Sequence, residues 1–115
     1  MDIKIKRIYD KAEESDKTRV LVDRIWPRGV SKEEAMLDHW MKEIAPSTEL
    51  RKWYNHKASR FSEFSKRYKK ELNANPDLIK QLTHLAKEKR LTLLFGAKDE
   101  EHNQAIVLKE FLESQ

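Results

Sequence analysis

Asp23 and Arg24 stand directly after Thr18-Arg19-Val20-Leu21-Val22, an apolar run that gives no packing reason for two opposite charges to follow it. A guanidinium in that place presents a planar fork of donors suited to phosphate or carboxylate. A carboxylate beside it can orient a sugar hydroxyl, position the arginine or serve as a general base. A structural ion pair closing the strand end is the plainer alternative. The next loop, Trp26-Pro27-Arg28-Gly29, adds a second candidate anion contact in Arg28, and its Gly29 permits a left-handed turn or close approach to a ligand. Trp26 offers an aromatic wall, although anchoring the edge of the core is the commoner fate of tryptophan in a small domain.

A second constellation, Lys98-Asp99-Glu100-Glu101-His102-Asn103, follows another apolar run far along the chain. Lys98 is a third cation for an anionic ligand. Asp99 is placed to cap the last helix, and the two glutamates complement the positive end of its dipole. The same helix terminus disfavours imidazolium, so His102 is expected neutral, a base or acceptor. Asn103 can donate and accept at once. Asp23, His102 and Asn103 are therefore the catalytic candidates. Arg24, Trp26, Arg28, Gly29, Lys98 and Asp99 are the candidate ligand contacts. His56, closing Trp53-Tyr54-Asn55-His56, either reaches the same cleft or meets the end of its own helix. Only Asp99 and His102 have close metal-ligand spacing, and a third ligand would have to come from Asp23 or His56, so neither metal nor cofactor is expected. His39 and His84 lie off the apolar stripes and read as solvated.

These residues need a scaffold that brings two distant strand ends together. Residues 3 to 9 alternate apolar and polar and read as a half-exposed strand. Thr18–Val22 and Leu91–Phe95 read as buried strands. Between the last two, the spacing predicts a helix opened by the capping box Ser31–Glu34 and carried by Leu37, Trp40, Met41 and Ile44. Pro46 stops it, and Ser47 or Thr48 caps a short helix through Trp53. Ser59 is expected to cap a third with Phe61, Phe64, Tyr68 and Leu72 on one face. Asn75-Pro76-Asp77 opens a fourth, and a fifth starts within Asp99 to Asn103 and carries Ala105, Ile106, Val107, Leu108, Phe111 and Leu112. The reading is a small α/β single domain over residues 1–115, Rossmann-like. It has a short central sheet with at least two buried parallel strands, flanked by about five helices. Parallel neighbours would put Asp23-Arg24 and Lys98-Asp99 at one sheet edge, where open α/β sheets take ligands. The short connection after the first strand favours an antiparallel hairpin.

Composition excludes several classes. The 115 residues contain no cysteine, which removes disulfides, thiolate metal sites and cysteine nucleophiles together. With two glycines, neither a P-loop nor a dinucleotide fingerprint can exist. The N-terminus has no signal-peptide run and no stretch is long and apolar enough for a membrane span, so a soluble cytoplasmic protein is expected. Lys and Arg exceed Asp and Glu by four, a mild preference for anionic partners. Lys66, Arg67, Lys69 and Lys70, with Lys80, Lys87, Lys89 and Arg90, form a basic face on the middle helices. Interleaved Glu63, Glu71, Asp77 and Glu88 make a solvated face the plainer reading, so nucleic acid is permitted but not favoured.

The run Arg19 to Gly29 (RVLVDRIWPRG), with Leu93 to Asn103 (LLFGAKDEEHN), resembles the YeaO-like branch of domain-of-unknown-function family 488. Ile44 to Trp53 and the aromatic-basic stretch from Arg60 to Tyr68 carry the similarity across nearly the whole chain. The resemblance implies a compact bacterial or archaeal α/β protein whose activity is not established. Longer relatives carry an Asp-x-Arg motif after the equivalent strand and a Cys-His-Arg motif near the later helix. Here Asp23 and Arg24 are adjacent and His102-Asn103 replaces the cysteine triplet, so chemistry needing that cysteine does not carry over. Three functions compete: binding of a small anionic molecule such as a nucleotide or sugar phosphate, with or without turnover; nucleic-acid binding; and a regulatory or interaction role, including a homodimer.

Overall fold

Four strands form one sheet in the computed structural model, which describes residues 1–115: β1 (Ile3–Arg7), β2 (Thr18–Leu21), β3 (His39–Trp40) and β4 (Leu91–Phe95). Their order is β1-β4-β2-β3, and every pair is parallel. The α/β class with parallel buried strands is as expected. The first strand is not. Rather than forming a hairpin with β2, β1 pairs with β4 in the register Ile3 to Leu91 through Arg7 to Phe95. The connection of residues 8–17 doubles back across β4, which is inserted between the two strands much later in the chain.

Alternation along the strands separates two faces. Ile3, Val20, Val22, Leu91, Leu93 and Phe95 point into the main core. That core is closed by α2 (Thr48–Tyr54), α3 (Phe61–Asn73), α4 (Pro76–Glu88) and α5 (Gln104–Glu113). Leu21 and Leu94 point the other way, into a smaller cluster with Ile8 and Ala35. Ala35 ends α1 (Lys32–Ala35), the one helix on that side. Connections that move along the sheet towards β3 use this second face. The return from β3 to β4 carries helices across the first, as a single crossover hand requires.

The second face also holds an ion cluster with no precedent in the sequence reading. Asp16 is wholly buried and accepts from Lys6 at 3.1 Å and from Arg19 at 2.6 Å. Thr92 Oγ1 donates to the Asp16 carbonyl at 2.7 Å, so β1, β2 and β4 meet on one residue of the connection. Burial opposes the charge of Asp16, but bonds from the Glu13 amide, Lys6, Lys4 and Arg19 outweigh it and hold the carboxyl well below its ordinary range.

Two other expectations fail locally. The helix from Ser31 keeps its capping box, with Ser31 Oγ accepting from Glu34 N at 3.1 Å, yet it lasts one turn. Met36 turns left-handed at φ 45°, and the chain then runs along β2 as the edge strand β3. Asp38 fixes that turn: its Oδ2 accepts from Arg19 N at 2.7 Å and its own N–H donates to Arg19 O at 2.9 Å. Trp40 therefore lies on a strand, not on a helical stripe with Leu37, Met41 and Ile44. Ser59 caps nothing, because residues 58–60 form a 3-10 turn running straight into α3. Ser47 does cap α2, accepting from Leu50 N at 3.2 Å, and Pro76 is the first residue of α4. No helix is long and apolar enough to cross a membrane.

Candidate functional site

Because all strands are parallel, their C-terminal ends share one edge. At that edge the chain leaves β2 towards the second face and leaves β4 towards the helical face through α5. Adjacent strands that depart to opposite faces leave a crevice between them, the topological switch point of an open α/β sheet. A cleft of about 220 Å³ opens there, lined by residues from β2's end, α2, β4's end and the start of α5.

Asp23 is the floor of this cleft. Its Oδ2 accepts from Gly96 N at 2.9 Å and its Oδ1 from Gln104 Nε2, so one carboxylate ties β2, β4 and α5. Burial raises its pKa from 3.8 to about 6, against the opposing pull of the Gly96 and Gln104 bonds. Gly96 is required by this contact: a Cβ there would lie 2.8 Å from Asp23 Oδ2. Arg24 is fixed from behind. Nε donates to Pro46 O and Nη2 to Ala45 O, each at 3.1 Å, which leaves Nη1 unbonded within the protein at the cleft. Asp23 and Arg24 are therefore not an ion pair with each other.

On the opposite wall, Tyr54 OH donates to the His102 carbonyl at 2.9 Å and Phe61 meets the His102 ring edge-on at 5.2 Å. Burial and the nearby Asp99 carboxylate raise the Tyr54 pKa above its ordinary value. Asp99 does not cap α5. It accepts from Glu101 N at 2.9 Å and His102 N at 3.0 Å, and its Oδ2 lies 3.0 Å from His102 Nδ1. These bonds, the Glu101 amide first, hold the Asp99 carboxyl below its ordinary range. The cap of α5 is Asn103, buried, whose Oδ1 accepts from Ile106 N at 3.1 Å while Nδ2 donates to Asp99 O at 2.9 Å. His102 therefore lies one residue before the cap of α5, with its Nδ1 beside the Asp99 carboxylate.

Asp23, Arg24, His56, His102 and Asn103 all line the cleft; Trp26, Arg28, Gly29, Lys98 and Asp99 do not. Trp26 belongs to the second face, donating to Val30 O at 2.7 Å and packing edge-on against Trp40 at 5.3 Å. Arg28 is exposed, and its carbonyl receives Tyr9 OH at 2.8 Å. Gly29 adopts φ 80° with open space around it, so its role is the turn. Lys98 is exposed. Gln104 and Arg51 also line the cleft and were not singled out from the sequence. Gln104 carried a faint signal, an amide at the head of an otherwise apolar helix. Arg51 carried none, being one cation among several on a short helix. No cluster of three His, Cys, Asp or Glu side chains is arranged to hold a metal.

The family DUF488-N3i, described as the inactive DUF488-N3 subclade, matches residues 2–115. The uncharacterized protein YeaO of Escherichia coli K12 is 46% identical over 114 residues, covering 99% of each chain. The uncharacterized proteins Mb3100c of Mycobacterium bovis and Rv3073c of Mycobacterium tuberculosis H37Rv are each 37% identical over 110 residues, covering 96% of this chain and 92% of theirs. No solved structure matches.

Proposed function

Because the chain belongs to the inactive DUF488-N3 subclade, we propose that it is a cytoplasmic binding protein that holds a small anionic metabolite, a nucleotide or sugar phosphate, without turning it over. The carrying observation is how the cleft divides its polar groups. Most of those that could do chemistry are engaged in construction, His56 and His102 Nε2 excepted: both oxygens of Asp23, both amide atoms of Asn103, and His102 Nδ1 on Asp99. The cations are not. Arg24 keeps Nη1 for a ligand, and exposed Arg51 makes no ion pair. A guanidinium already oriented by two carbonyls loses little freedom when a phosphate arrives.

The test is a thermal-shift screen of nucleoside phosphates, sugar phosphates and carboxylates, with Arg24→Ala and Arg51→Ala alongside. A ligand at a hundred times its dissociation constant adds about 2.7 kcal/mol, several degrees in a domain of this size. The expected result is a shift with one phosphate class that both variants lose. Arg51→Ala guards against a folding defect, because Arg51 is exposed while Arg24 braces the loop before α2. No shift with any compound, or an undiminished shift in Arg51→Ala, overturns the reading.

A further inference from the structure

The protein's positive charge is concentrated in one place. Residues 51 to 70 contain eight Lys and Arg against Glu63 alone, in a chain whose whole excess is four, so the remainder is net acidic. This stretch spans α2, the 3-10 turn and the first part of α3, which pack against one another. The basic face expected across α3 and α4 is thereby relocated. On α4 the charges alternate and His84 pairs with Glu88, while Arg90 is engaged by Asp2 and the Ser15 carbonyl.

The strip is organised. Arg60 and Arg67 both lie against the Trp53 ring, at 5.2 and 4.3 Å, and Arg60 Nη1 also donates to Trp53 O. One tryptophan of α2 thus holds a cation of the 3-10 turn and one of α3 at fixed positions. Arg51, Lys52, Lys57, Lys66 and Lys70 are exposed and free of ion pairs. Most acids that border them are occupied, Glu63 by Arg67, Glu71 by Ser47 and Asp99 by His102, and only Glu49 at the start of α2 is exposed without a partner. At its α2 end the strip enters the cleft through Arg51 and His56.

We propose that the α2–α3 face binds the phosphate backbone of single-stranded nucleic acid, with the strand's end directed towards the cleft. A row of fixed and mobile cations that far outnumber the acids among them matches a polyanion of regular charge spacing. The cleft of about 220 Å³ at its end admits one unpaired nucleotide and not the end of a duplex. An anionic membrane is the poorer fit, because the exposed large apolar side chains are Met1, Tyr9, Ile25, Met36 and Trp40, none of them in this stretch. Entry of the terminal nucleotide rests on the cleft reading above; the backbone contact on α3 does not.

The experiment is fluorescence anisotropy of a labelled twelve-nucleotide single strand, titrated between low and physiological salt, with the full chain and with Lys66→Glu/Lys70→Glu. Binding is expected to weaken steeply with salt, with a log–log slope of about −3 to −4 for about five phosphate contacts. The double variant should lose at least tenfold in affinity while keeping its thermal midpoint and any mononucleotide shift at the cleft. Anionic phospholipid vesicles, polyglutamate and a duplex of the same length are run as competitors. Oligonucleotide binding lost in the double variant, with no mononucleotide shift, supports the strip and removes only the cleft. No binding at low salt, undiminished binding by the double variant, or equal competition by vesicles, polyglutamate or duplex overturns the proposal.

Discussion

Asp23 ties together the ends of β2 and β4 and the start of α5, and Gly96 is the neighbour that makes room for it. A glycine directly after a buried strand was visible in the sequence as a backbone choice. Its cause was not, because the partner lies far back in the chain and no local pattern links the two. The backbone at Gly96 has an ordinary negative φ, so the requirement is steric rather than conformational. Gly96→Ala is expected to destabilise the protein by about 1–3 kcal/mol, the usual penalty for forcing one extra carbon into a closed contact. In an Asp23→Ser background, where the shorter hydroxyl withdraws, the same substitution should cost under about 1 kcal/mol. Urea unfolding of the four proteins measures the coupling. Equal costs in both backgrounds would show that the carboxylate is not what Gly96 accommodates.

Among the elements, those with one unambiguous period were legible: the buried strands β2 and β4, the amphipathic α3 and α4, and the apolar body of α5, whose cap is Asn103 and not the expected Asp99. The segment from Leu37 to Ile44 was not, because Leu37, Trp40, Met41 and Ile44 satisfy a helical stripe by spacing alone. What overrides the stripe is the open edge of β2, which needs partners for its backbone, and the Asp38 carboxylate that pairs with Arg19 N. The boundary falls on Met36, a non-glycine residue at φ 45° whose side chain is 64% exposed. Left-handed geometry costs a residue with a Cβ about 1–2 kcal/mol, while glycine adopts it freely. Met36→Gly is therefore expected to stabilise the protein by up to about 1 kcal/mol, after the extra freedom glycine gives the unfolded chain. Chemical denaturation reads this directly. A loss of stability instead would mean that the Met36 side chain contributes packing its exposure does not suggest.

Across the molecule, the sequence pointed to the sheet edge where the cleft lies, since two apolar runs ending in charged residues locate it once the strands are parallel. Strand order was out of reach: β1 waits for β4, and the ion cluster beneath the connection joins residues that look like ordinary surface charges one at a time. Asp16 and Asp23 then oppose each other in acid. Asp16 has its carboxyl held below the ordinary value, so its contribution is present above that value and declines as pH falls through it. Asp23 has its pKa raised from 3.8 to about 6, so the native state binds the extra proton in that window and stability falls as pH rises through it. Together these two groups place the maximum near their shared ordinary value of 3.8. Between pH 5 and 7 the Asp23 contribution alone should lower stability by about 1.3 kcal/mol. Asp23→Asn, which stays neutral and can meet Gln104 by rotation of that amide, should be more stable than the natural protein at pH 7 and flat across the same window. Unfolding free energies at half-unit pH steps from 3.5 to 8 decide the matter. A natural protein that gains stability from pH 5 to 7, or an Asp23→Asn variant that follows the same slope, would show that the strand-end carboxyl is ionised as an ordinary surface acid and that the cleft is more negative than its geometry implies.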